Sequence, residues 1–105
     1  MRDKKNDVLA GYGQDIDTQE IRPVVAGEHI FKLMDSYGLP LDIIHELLAE
    51  RHIAVDVPGF ILAAHKSKNY SKERLINLMI PVDSNMSDKL KQLTRYCIDR
   101  EYNDS

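Results

Sequence analysis

One apolar rhythm with two interruptions constrains this chain more than any other feature. Between Glu28 and Lys66 apolar residues recur at helical spacing, and the rhythm is cut by Gly38-Leu39-Pro40 and again by Ile53-Ala54-Val55-Asp56. Ile30, Phe31, Met34 and Tyr37 fall on one face, with Leu33 at its edge, which predicts a first helix from about Glu28 to Tyr37. Gly38 ends it, because glycine takes the left-handed conformation after a helix without steric cost, and Pro40 fixes the corner or opens the next helix. Ile43, Ile44, Leu47 and Leu48 predict a second helix from about Leu41 to His52. Asp56 is a good N-cap, and Pro58 suits the first turn of a third helix, about Val57 to Lys66, that buries Phe60, Ile61 and Ala64.

Two further helices follow from their caps. Ser71 precedes a segment from about Lys72 to Met79, and Ser87 precedes one from about Asp88 to Glu101 with Leu90, Leu93, Cys97 and Ile98 as its stripe. Residues 1–26 show no helical period; Gly11, Gly13 and Pro23 punctuate them, and they read as a polar, extended or disordered lead-in. Within it Val8-Leu9-Ala10 and Pro23-Val24-Val25 are the two segments able to dock as short strand-like pieces. The expected fold is therefore all-α: a small bundle of about five short helices over residues 27–102, preceded by an irregular segment.

Composition narrows the function classes. A chain of 105 residues buries roughly 65% of its unfolded surface, enough for one modest core. No apolar run approaches the ~18 residues of a membrane span, and Met1-Arg2-Asp3-Lys4-Lys5 is not followed by an apolar signal core, so a cytoplasmic location is expected. Cys97 is the sole cysteine, which excludes an internal disulfide and reads as a small buried apolar residue. The net charge of −3 argues against a protein that grips nucleic acid over its whole surface. One stretch runs the other way: His65, Lys66, Lys68, Lys72 and Arg74 have only Glu73 as an acidic neighbour. It reads either as a phosphate-facing patch or as a solvated helix end.

The segment Gly27-Glu28-His29-Ile30-Phe31-Lys32-Leu33-Met34-Asp35-Ser36-Tyr37-Gly38-Leu39-Pro40-Leu41-Asp42, followed by Glu50-Arg51, Val55-Asp56 and Gly59-Phe60, resembles the alanyl-tRNA synthetase family. The family pattern there is G-E-x-x-F-K-L-Y-D-T-Y-G-F-P-L-D, then E-R/K-x-(I/L)-x-V-D-x-x-G-F. The resemblance is carried by residues 27 to about 66, and the tail from Asn69 onward carries none of it. Met34 stands where the family has tyrosine, Ser36 for threonine, Leu39 for phenylalanine and Ile43-Ile44 for leucine-threonine. In the family this segment belongs to the helical region that contacts the tRNA acceptor stem.

The resemblance implies a role for Asp35. The acidic residue of the family's Y-D-T-Y-G motif lies where the enzyme recognises a G·U wobble pair, and a carboxylate can accept from the guanine 2-amino group in the shallow minor groove of A-form RNA. The family's second recognition residue, an upstream asparagine, has no counterpart here. The structural alternative is that Asp35 braces the Gly38 corner. Lys32 beside it is either a phosphate contact or a solvated lysine. The two arginine-bearing motifs of a class II adenylate site and the HxxxH and Cys-x-x-x-His motifs of the editing domain are absent from the sequence. His45 and His52 are seven apart, which is not the i, i+4 spacing of a helical zinc motif. The expectation is a non-enzymatic module with no cofactor or metal, whose RNA-binding residues are Asp35, Lys32, Lys66, Lys68, Lys72 and Arg74. A protein partner or self-association, through an exposed apolar face on the Asp88 to Glu101 helix, is the alternative. DNA is not expected, because the segment from Val57 to Ala64 offers almost no polar side chain to read base edges.

Overall fold

The computed structural model describes residues 9–16 and 18–102. Among these the order is β1 (Leu9–Gln14), β2 (Ile21–Val25), α1 (Gly27–Asp35), α2 (Leu41–Glu50), β3 (Ala54–Val55), α3 (Val57–Ser67), α4 (Lys72–Asp83) and α5 (Asp88–Tyr102). The strands form one sheet in the order β1-β2-β3, with β1 antiparallel and β3 parallel to β2. The fold therefore mixes helices with a small sheet, and the all-α expectation is overturned by that sheet.

Two strands overlap the segments able to dock as strand-like pieces, Leu9-Ala10 and Pro23-Val24-Val25, but none of the three leaves a periodic signal, each for a physical reason. β1, Leu-Ala-Gly-Tyr-Gly-Gln, has no apolar alternation, and its pairing register with β2 slips between Leu9 and Gly11. β2 carries Pro23, which a central strand normally rejects because proline has no N–H to give the ladder. Here β3 reaches only Val24 and Val25, so at Pro23 the strand β2 has a single neighbour, Tyr12 of β1. β3 is two residues long and exists only because β2 is there to pair with it. The segment Pro23-Val24-Val25 is thus a strand, as is Leu9-Ala10; Val8 lies outside the described residues.

The junctions β2–α1 and β3–α3 lie side by side, and Asp56 joins them. Its carboxylate accepts from Gly59 N–H at 3.1 Å, capping α3, and from Gly27 N–H at 3.2 Å, at the first residue of α1. Its own N–H donates to Val25 O at 3.0 Å, continuing the β2–β3 ladder. One carboxylate thus meets the positive ends of two helices, where anions are favoured. Gly27 makes this approach possible: a Cβ there would overlap the backbone of Gly59 and Phe60.

Helix ends follow the anticipated chemistry with small shifts. Gly38 is left-handed (φ 73°), and Leu39 N–H donates to Leu33 O at 3.2 Å, closing the corner. α2 stops at Glu50 because His52 turns left-handed (φ 58°) and Ile53 N–H returns to Leu48 O at 3.0 Å. Ser71 accepts from Arg74 N–H and Ser87 from Leu90 N–H, as N-caps should. α4 passes through Pro81 to Asp83 instead of ending at Met79. The carbonyl left without its helical donor belongs to Asn77, an exposed residue that water can satisfy, while Val82 beyond the proline is fully buried and draws the helix on.

The core is built by Val25, Ile30, Ile44, Phe60, Ile61, Leu75, Met79, Val82, Cys97 and Ile98, with Phe31 and Leu33 packed at its margin. Thr94, fully buried, donates its hydroxyl to Leu90 O at 2.8 Å and so brings no unpaired polar atom inside. Tyr37, expected on the core face, is 67% exposed, and Ile43 and Leu47 of α2 also face outward. The apolar side of α5 is buried against α3 and α4, so its expected exposed face is not there; Tyr96 is its large apolar residue that remains outside.

Candidate nucleic-acid interface

Asp35 is the last residue of α1 and is exposed. A carboxylate at a helix C-terminus sits against the negative end of the macrodipole, a placement that costs about 0.3–1 kcal/mol. Lys32 in the same turn offsets part of this. The side chain does not brace the Gly38 corner: its Oδ1 accepts from the hydroxyl of Tyr70 at 3.1 Å. Tyr70 lies in the connection between α3 and α4, directly before the Ser71 cap, and is only 8% exposed.

Around Tyr70 the structure assembles a compact cluster. The Phe31 ring, one turn before Asp35 on α1, stands edge-on to it at 5.4 Å. The Arg74 guanidinium lies 4.3 Å from the ring centroid, and its Nη1 donates to Asn69 O at 2.7 Å. The Tyr70 carbonyl accepts from the Tyr102 hydroxyl at 2.8 Å, which ties the connection to the end of α5. Burial first, then the hydrogen bond to Asp35, pushes the Tyr70 hydroxyl above its ordinary pKa of 10.0, so it stays a donor at neutral pH.

The basic residues separate into groups. Arg74 and Asp35 flank one ring, so these two sequence-selected residues are brought together. Lys68 caps α3 in the left-handed conformation (φ 63°) and is exposed in the same connection, two residues after the exposed Lys66. Lys72 points elsewhere: its Nζ pairs with Asp99 of α5 at 3.0 Å. Among the described residues no group of three or more His, Cys, Asp or Glu side chains is placed to hold a metal ion, and no helix is long and apolar enough to cross a membrane.

The family description "tRNA synthetases class II (A)" matches residues 11–103. The chain belongs to the alanyl-tRNA synthetase family. The match extends well beyond the segment of residues 27–66 that carries the motif, taking in the β1–β2 hairpin and the helices α4 and α5. Among its relatives, the alanine–tRNA ligase of Helicobacter hepaticus is 42% identical over 57 residues, covering 54% of this chain and 6% of that protein. The ligase of a Synechococcus strain is 30% identical over 78 residues, 74% of this chain and 8% of the relative. That of Clostridioides difficile is 32% identical over 76 residues, 72% and 8%. The chain thus spans less than a tenth of the length of these synthetases. No solved structure gives a significant match.

Within the synthetase motif, structure separates residues the fold needs from one it does not. Gly27, Phe31, Gly38, Asp56 and Phe60 serve capping, turning or packing. Asp35 does none of these at its own helix end. Sequence reading missed Tyr70, although a signal was present: it precedes the N-cap Ser71 and stands five before the buried Leu75, the N′ and N4 positions of a hydrophobic staple.

Proposed function

We propose that this chain is a non-catalytic module that binds the acceptor stem of tRNA through the surface around Asp35. The observation that carries this reading is an exposed carboxylate at a helix end that disfavours it, held by a buried tyrosine hydroxyl. Residues placed against local preference without a gain in packing mark functional positions. A carboxylate offers about four lone-pair sites and Tyr70 occupies one, so Asp35 retains acceptors for a guanine 2-amino group. Arg74, Lys68 and Lys66 supply cations for flanking phosphates; Lys32 lies one turn back on α1. The relatives are named alanine–tRNA ligases, which supports tRNA as the ligand class.

The test is binding of the purified chain to alanine tRNA and to the same tRNA with its G·U pair replaced by G·C, at two salt concentrations. Preferential binding to the G·U form, weakening as salt rises, is the expected result. Equal or absent binding overturns the reading. Alanine-dependent ATP–pyrophosphate exchange by the chain alone would overturn the non-catalytic part.

One observation favours a second reading. Ile43 and Leu47, one turn apart on α2, are exposed, as is Leu39 in the corner just before that helix, and together they offer apolar surface suited to self-association. Sedimentation as a monomer across the micromolar range would remove it.

A further inference from the structure

We propose that Tyr70 is the positioning residue of the Asp35 carboxylate, and that its hydroxyl sets how well this surface tells a G·U pair from other pairs. The inference rests on the acceptor-stem reading of Asp35. It starts from geometry: Phe31 and Asp35 are one turn apart on α1, and the Tyr70 ring lies along that turn, edge-on to Phe31 at 5.4 Å with its hydroxyl 3.1 Å from Asp35 Oδ1. The donor is itself immobilised. Its ring is covered by the Arg74 guanidinium at 4.3 Å, its carbonyl is held by Tyr102 at 2.8 Å, and the residue is almost wholly buried.

An exposed aspartate at a helix end otherwise samples several rotamers, and ordering a side chain on binding opposes association. A fixed O–H on Oδ1 removes that cost beforehand. It also divides the carboxylate, leaving Oδ2 as the oxygen offered to an incoming N–H donor. Arg74 is fixed through the same ring, so the base-reading carboxylate and a phosphate-binding guanidinium keep a constant separation. Base contacts specify and phosphate contacts position. The hydroxyl therefore acts on specificity, and the cations act on overall affinity.

A bond that merely stapled α1 to the α3–α4 connection would behave differently, since losing it would lower stability without altering the ratio of affinities. Tyr70→Phe removes the hydroxyl and keeps the ring, and the measured quantity is the ratio of affinities for the G·U and G·C forms of alanine tRNA, at a temperature where circular dichroism shows the variant folded. The expected result is a drop in that ratio of about fivefold to tenfold, with affinity for the G·C form unchanged. Should Tyr70→Phe not fold, the ratio in Tyr102→Phe decides, because that change frees the Tyr70 main chain at the end of α5 and lowers the ratio in the same direction. A wild-type chain that discriminates, with a variant that discriminates equally, overturns the positioning role and leaves the acceptor-stem reading standing. A wild-type chain that does not discriminate overturns both.

Discussion

Asp56 holds the start of two helices with one carboxylate, so its removal should be felt in both. Asp56→Ala is expected to lower stability by about 3 kcal/mol in urea unfolding, the sum of two lost caps in a partly buried site. Asp56→Asn keeps one acceptor oxygen and should lose about half as much; an equal loss for both substitutions would show that charge, not hydrogen bonding, matters there. The basic residues make a second prediction at this scale. Lys72 is engaged by Asp99 and Arg74 is set over Tyr70, so Arg74→Gln should weaken tRNA binding severalfold more than Lys72→Gln in a filter-binding titration. Equal effects would place Lys72 on the RNA face after all. The sequence reached Asp56 and Ser71 through cap rules that depend on neighbours a few residues away. It did not reach the Asp35–Tyr70 bond, which spans 35 residues and exists only after α1 and the α3–α4 connection have met.

At the scale of elements, helices were legible, whereas the strands showed only as two segments able to dock, with neither their pairing nor β3 in view. A helix closes its hydrogen bonds within itself, so spacing and caps located all five, with starts displaced by no more than a residue. A strand needs a partner from elsewhere in the chain, and β3 is too short to leave any periodic trace. Pro81 shows the limit of breaker rules: a proline interrupts a helix only as strongly as the lost bond and the packing beyond it dictate. Pro81→Ala should therefore restore the bond to Asn77 O and raise stability by about 1 kcal/mol, or ~4–8 °C in melting temperature. A lower melting temperature would mean that Val82 reaches the core only through a bend at Pro81.

At the scale of the molecule, three protons among the described residues, two buried and one half-buried, tie stability to pH. Burial pushes Cys97 above its ordinary 9.0 and Tyr70 and Tyr102 above their ordinary 10.0. A raised folded pKa means that the folded chain keeps a proton the unfolded chain releases, so the stabilisation is complete below the unfolded value and is lost as pH rises through the folded one. Melting temperature should be level between pH 7 and about 9 and fall steadily above it; a curve still level at pH 11 would contradict the burial of these groups. The sequence by itself determined the helices, their caps, the family motif and the mild acidity, because each depends on residue type and short spacing. Only the tertiary structure decided that residues 9–25 form a hairpin, that β3 joins it, and that Asp56 serves two helices. The same holds for the outward turn of Tyr37 and the cluster of Asp35, Tyr70, Arg74 and Tyr102. These are contacts between segments distant along the chain, fixed by which surfaces meet when the core closes, and no local pattern records them.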